Sequence, residues 1–303
     1  MTTTNPLIQS GDRNHPTPWL TLASFAGAFL VMYGASIGWG VLATLGGRWL
    51  GISELLRLTI SRVGALILQV GIFAAAARTV YRRPLRELAF PASGGGFVDL
   101  GVGMGLAATA MGILYGIYRA GGWLAVDGWA WDALPSAAWG AALWGAILSS
   151  MQAAIGEEVV FRAYLLPGLR TRWSDALAIL AMSVMFAAPH LLVATAGETP
   201  WPLFVAALAL PGMMLGWAYL RSGSLWLPIG IHFAWNFVQG DLLGLPGAAG
   251  PNQFGALTTL IGPAWLVGTD YGIEVGLLGL IPLLLVAAGA WWWTRQRTAL
   301  PPA

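Results

Sequence analysis

Apolar stretches of membrane-crossing length, separated by short polar intervals, recur along the whole chain. A helix needs about 20 mainly apolar residues to cross the hydrocarbon core. Eight stretches meet or nearly meet that length, at approximately 19–45, 59–80, 97–118, 136–160, 176–196, 202–220, 225–243 and 272–294. The pattern predicts an all-α, polytopic membrane bundle of about eight transmembrane helices. The first stretch is longer than the roughly 7–15 apolar residues of a signal peptide, so it is expected to be a span. Residues 1–18 carry Pro6, Pro16 and Pro18 and are expected to form a short polar tail. Residues 19–297 are expected to form a single transmembrane domain, and 298–303 a C-terminal tail.

Composition strengthens this picture. Hydrophobic residues make up 57% of the 303 and charged ones 9%, against about 25% charged in a soluble domain. All 15 basic residues are arginines, set against 13 acids, and the net charge of +2 is too small and scattered for a nucleic-acid surface. The absence of cysteine excludes disulfides, thiolate nucleophiles, zinc–thiolate sites and iron–sulfur clusters.

Arginine placement gives an orientation. Arg78, Arg82, Arg83 and Arg86 fall in the second polar interval, Arg170 and Arg172 in the fourth, Arg221 in the sixth, and Arg295 and Arg297 after the last stretch. The third, fifth and seventh intervals hold Asp127, Asp132, Glu198, Asp241, Asp270 and Glu274, with Arg119 the only base. Cytoplasmic loops favour arginine, so both termini are expected in the cytoplasm. Arg48, Arg57 and Arg62 break the alternation; they belong to an interfacial helix, or the first two spans end elsewhere. Trp123, Trp129, Trp131, Trp201 and Trp265 are expected to form a rim of interface anchors. Gly94-Gly95-Gly96 is expected to make a turn. The Gly101/Gly105 spacing is the small-xxx-small pattern of close helix packing.

Three segments place polar residues inside apolar stretches, where an ionisable group costs several kcal/mol and marks a functional interior. The first is Gly156 to Arg162. Glu157 and Glu158 point about 100° apart on a helix, so one can face a cavity while the other pairs with Arg162; Pro167-Gly168 is expected to end the helix. In the second, Pro189 frees the carbonyl of Met185, and the expected kink makes room beside His190. In the third, Ser224 is expected as N-cap and Pro228 in the opening turn, with His232 and Asn236 on one helix face. Asp99, Gln69 and Gln152 are expected in packing or interface roles, and Asp241 and Asp270 in solvent.

Glu157-Glu158-x-x-x-Arg162, Phe186-x-x-x-His190 and His232-x-x-x-Asn236, in this order on successive apolar stretches, resemble the motif set of the CAAX protease and bacteriocin-processing (CPBP) family, intramembrane endopeptidases similar to the type II CAAX prenyl endopeptidase. The motif-bearing region covers about 139–240. The resemblance implies a cavity between helices, with Glu157 as the base that activates water, His190 holding that water, and His232 and Asn236 stabilising the oxyanion. Glu158, Arg162 and Phe186 would support them. The helix spacing by itself leaves open which glutamate is the base. The chemistry is consistent, since hydrolysis without a serine or cysteine nucleophile needs an activated water and donors where negative charge develops.

No cofactor is favoured by the resemblance; were zinc used, Glu157, His190 and His232 would be its ligands. The partners expected are a membrane-associated peptide or protein substrate and the lipid bilayer, with no nucleic acid. The lysine-free, Ala/Gly/Trp-rich composition points to a bacterial plasma membrane. Two rival functions are a proton-coupled transporter using the Glu/His cluster and a non-catalytic immunity or scaffold protein. Asn236 weighs against a relay, which needs titrating groups.

Overall fold

The structure is a computed structural model, and it describes residues 16–90, 96–193, 201–247 and 254–295. Most of the polar tail, the Gly94-Gly95 pair, Glu198, Arg297 and the tail 298–303 lie outside the described residues.

The first polar interval is shorter than expected. Thr17 accepts the amide of Leu20 through its hydroxyl and Pro18 takes the first turn, which starts α1 (Pro18–Trp49). Ser53 caps α2 (Glu54–Ala76) in the same way through the Leu56 amide. Only 50–53 separate the two helices. Arg48, Arg57 and Arg62 are therefore carried by the long helices themselves, and no separate interfacial helix holds them. α2 runs on as a π-helical turn, Ala77–Tyr81, followed by short α3 (Leu85–Ala89) and α4 (Gly96–Ala120).

The chain then leaves the helical pattern for strand β1 (Leu124–Trp129). It enters α5 (Trp139–Glu157), which continues as a π-helix over Glu158–Leu165 and as α6 (Leu166–Leu169). The helix ends at Leu169, one residue past the Pro167-Gly168 pair expected to end it. Next come α7 (Asp175–Val193), α8 (Trp201–Ser222) and α9 (Trp226–Asn236), the last prolonged as π-helix to Leu242. Strand β2 (Ala256–Leu260), α10 (Ala264–Val267), a 3-10 turn (Ile273–Val275) and α11 (Leu280–Arg295) complete the fold.

The architecture is all-α apart from one antiparallel ribbon, β1 with β2. Among the described residues, five helical segments are long and apolar enough to cross a membrane: Pro18–Trp49, Glu54–Tyr81, Gly96–Ala120, Ser136–Leu169 and Leu277–Arg295. The ribbon carries part of the expected aromatic rim, with Trp129 stacked on Trp131 at 4.5 Å and Trp129 and Trp265 exposed.

Two apolar cores organise the helices. One gathers α1, α2, α7 and the π-helix Glu158–Leu165. The other joins α4, α8 and α11 through Met111, Leu114, Leu215 and Val286. α9 contributes to both, by Ile229 to the first and by Leu227, Ile231 and Trp235 to the second.

What seats α9 is a close approach to α4. A Cβ on Gly103 would lie 2.4 Å from the Leu227 carbonyl oxygen, and one on Gly230 would lie 2.2 Å from the Leu100 carbonyl oxygen. The backbones touch through both glycines. The expected Gly101/Gly105 seam is corrected here: nothing approaches within 4 Å of a Cβ at either. The buried face of α4 is Gly103, Ala107, Ala110, Met111, Leu114 and Tyr118, a 3–4 residue period that passes between the other two glycines. Ser224 does not cap α9 either. Its hydroxyl is buried with no partner among the described residues, Leu225 occupies the cap position, and the Leu225 amide donates to the Ala89 carbonyl.

Gly230→Ala is expected to destabilise the fold by about 1–3 kcal/mol through overpacking. Gly101→Ala and Gly105→Ala should leave the midpoint of thermal unfolding in detergent unchanged or slightly raised. Equal midpoints for all three variants would refute the backbone contact.

Candidate functional site

The glutamate pair sits at the point where α5 changes from α to π geometry. Glu157 is the last α-helical residue and Glu158 the first π-helical one. The two carboxylates separate as their angular offset requires. Glu158 turns into the protein, where its side chain is 0% exposed, and Arg162 beside it is also 0% exposed. Arg162 Nη1 donates to Glu158 Oε1 at 2.9 Å, and Nη2 donates to the Gly212 carbonyl of α8 at 3.1 Å. Glu157 faces a cavity instead. Its side chain is 31% exposed, yet Oε2 is buried and meets no hydrogen-bond donor among the described residues.

Phe186 and His190 come from α7, with Pro189 between them inside the helix. The Phe186 ring lies 4.5 Å from the Arg162 guanidinium carbon, a cation–π contact in a dry setting. The Phe186 carbonyl accepts from His190 Nδ1 at 3.0 Å. A carbonyl can only accept, so Nδ1 carries the proton and the neutral ring keeps its lone pair on Nε2.

His232 and Asn236 come from α9, one turn apart. His232 Nδ1 donates to Glu158 Oε1 at 2.8 Å, which fixes that nitrogen as protonated because the same oxygen already accepts from Arg162. Nε2 is then turned toward Glu157, 3.8 Å from its Oε2. The structure thus brings all seven sequence-predicted residues into one cluster across α5, α7 and α9. It also divides them. Glu157, His190 and Asn236 line a cavity of about 370 Å³, while Glu158, Arg162, His232 and Phe186 lie behind that lining.

Sequence reasoning missed several members of this neighbourhood. Asp241, expected in solvent, is 4% exposed; it lines the cavity and accepts from Ser150 Oγ at 3.1 Å. Asp270 is exposed as expected. Glu274, in the 3-10 turn outside the last span, accepts from Trp235 Nε1 at 3.2 Å. Burial pushes its carboxyl up, while its hydrogen bonds and nearby His190 draw it partly back. Asp99, away from the cavity, has the expected packing role: it is buried at the start of α4 and accepts from Trp293 Nε1 at 2.7 Å. A five-residue step from Asn236 to Asp241 has no meaning on an α-helix face. It acquires one only through the π-helical turn Phe237–Leu242, which no residue pattern announced.

Among the described residues, no group of three or more His, Asp or Glu side chains is gathered closely enough to hold a metal ion.

Arg162→Met is expected to cost about 3–5 kcal/mol, since it leaves the Glu158 carboxylate buried without its cation. Glu157→Gln removes only the 3.8 Å contact with His232 Nε2 and should leave thermal unfolding in detergent nearly unchanged. A midpoint for Arg162→Met equal to that of the unsubstituted protein would show that the pair does not hold the site together.

Comparison with known proteins bears on the same region. No curated protein and no solved structure matches the chain significantly. Residues 139–238 match the family model described as Rce1-like, type II CAAX prenyl endopeptidase Rce1-like. The matched stretch opens at the first residue of α5 and closes just past Asn236, so it holds every motif residue of the cluster. The chain is an integral membrane protein whose residues 139–238 are similar to the Rce1-like type II CAAX prenyl endopeptidases.

Proposed function

We propose that the protein is an intramembrane endopeptidase of the CAAX type, hydrolysing a peptide bond in a membrane-associated protein or peptide by a water that Glu157 activates. One observation carries this reading. Glu157 alone of the pair lines the cavity, while Glu158 is turned away from it and bonds both Arg162 and His232 through Oε1. A carboxylate that lines the cavity can reach a water held there; one turned into the protein cannot.

The other roles are those that the family resemblance implies, and the positions of the side chains support them. His190, with Nδ1 held by the Phe186 carbonyl, offers Nε2 to the water. Asn236, one turn beyond His232 on the cavity lining, supplies an amide donor where the carbonyl oxygen gains charge. His232 places Nε2 beside Glu157 and, when doubly protonated, directs an N–H toward the developing oxyanion. Glu158 holds His232 in that orientation, and Arg162 holds Glu158. As the bond breaks, Glu157 returns its proton to the leaving amine, so that water and peptide balance to an acid and an amine. No step passes through a metal. Bacterial origin, cytoplasmic termini and the extent of the membrane domain over 19–297 belong to the same proposal.

Glu157→Gln should lower kcat by about 10²–10⁴-fold, as removal of a general base does, with thermal unfolding unchanged. Asn236→Ala should lower it by about 10²–10³-fold. The assay is cleavage of a lipid-modified reporter peptide in detergent or proteoliposomes. Full activity of Glu157→Gln would overturn the assignment of the base, and a transporter or scaffold would show no cleavage at all. Chelators should leave the rate unchanged; inhibition reversed by added zinc would sink the metal-free mechanism.

A further inference from the structure

Three polar side chains that the reaction does not use line the same cavity. Arg62 and Gln69 are seven residues, about two turns, apart on α2, and Gln152 faces them from α5. Arg62 Nη1 donates to Gln152 Oε1 at 3.2 Å, and Gln152 Nε2 donates to Gln69 Oε1 at 3.5 Å. The row ends against Gly156, where a Cβ would lie 2.4 Å from Gln69 Oε1. Any larger residue before Glu157 would push the Gln69 amide away. Two further buried oxygens on the lining, Ser36 Oγ and Ser149 Oγ, have no hydrogen-bond partner among the described residues.

Arg62 is eight residues into α2, about 12 Å along its axis at 1.5 Å per residue. Charge at such depth is kept for an interior purpose. An arginine that merely reached for the membrane surface would extend away from α5, but this one bonds across to it. It is the only arginine among the described residues that line the cavity, and none of their ion pairs involves it. A guanidinium has five N–H donors in a planar fork suited to a carboxylate, and Gln152 occupies one nitrogen.

The spacing says where the anion would sit. Gln152 precedes Glu157 by five residues of α5, a rise of about 7.5 Å. An extended peptide advances about 3.3 Å per residue, so the distance corresponds to two or three substrate residues. We propose that Arg62, held by Gln152 and Gln69, is a specificity-determining residue that binds a substrate carboxylate two or three residues from the bond addressed by Glu157. This rests on the endopeptidase reading. A free C-terminus near the cut supplies such a carboxylate, and so does an Asp or Glu side chain at that position.

The test measures binding apart from turnover. In the Glu157→Gln protein in detergent, fluorescence anisotropy compares three S-farnesylated Cys-a-a-X peptides: one ending in a free acid, one in a carboxamide, and one in a carboxamide with Asp as its last residue. The free acid should bind at least roughly tenfold tighter than the plain amide, the gain of a charge-assisted contact. Recovery by the Asp peptide identifies a side-chain carboxylate as an equal ligand; no recovery restricts the site to a C-terminus. Adding Arg62→Gln should abolish the preference without changing affinity for the amide, and Arg62→Lys should restore part of it. In the otherwise unsubstituted enzyme, Arg62→Gln should raise KM for the acid peptide with little change in kcat. Equal binding of acid and amide, binding of neither, or equal weakening of both by Arg62→Gln overturns the proposal. Selective binding by Glu157→Gln without cleavage by the unsubstituted protein would keep the carboxylate site and remove the protease reading.

Discussion

A carboxylate and a guanidinium with no access to solvent can persist in an apolar bundle only as a tightly made pair. Glu158 and Arg162 are that pair, and their bonds reach every helix of the site. Arg162 ties the π-helix after α5 to α8 through the Gly212 carbonyl and to α7 through the Phe186 ring. Glu158 ties it to α9 through His232. Separating two such charges is costly in a low-dielectric interior, so the four segments keep their relative places. Removal of either partner disturbs residues it does not touch, because His190 depends on Phe186 and His232 on Glu158.

The helices that carry the cavity-facing glutamate and asparagine break from α geometry right after them. Glu157 precedes the π-helix Glu158–Leu165, and Asn236 precedes Phe237–Leu242. π-helical turns are uncommon and gather at functional sites. Here they have a local effect. A widened turn changes which later residues share a face with the residue before it, and it brings Asp241 onto the cavity that Asn236 lines. On the other side of the site, Gly103 and Gly230 let α4 and α9 meet backbone to backbone, which fixes the height at which His232 and Asn236 are presented.

How much of this could be read from the residues alone depends on whether a residue was expensive where it stood. Charge and histidine inside apolar stretches cannot be neutral choices, so Glu157, Glu158, Arg162, His190 and His232 stood out, and Asn236 with them by helical spacing. The all-α membrane character was legible from the long apolar stretches, five of which are helices of spanning length among the described residues. The cheaper residues were not. Three alternate glycines on α4 offered two packing seams, and only the burial of Ala107 and Leu114 selects the one through Gly103. Asp241 and Glu274 sat near polar intervals, where an acid costs nothing. Arg62, Gln69 and Gln152 were far apart in sequence and looked unrelated; α2 and α5 packing side by side makes them one row. The β1–β2 ribbon was hidden in intervals taken for loops.

The bond from His190 Nδ1 to the Phe186 carbonyl has a consequence for the choice of nucleophile. It leaves the neutral ring an acceptor toward the cavity, alongside the acceptor oxygen of Glu157. Two acceptors suit a molecule with two hydrogens to give, which water has and an alcohol or a thiol lacks. On the proposed mechanism, the ring's fixed tautomer favours hydrolysis over transfer of the peptide to another acceptor, so the product is a released carboxylic acid and not an ester or thioester.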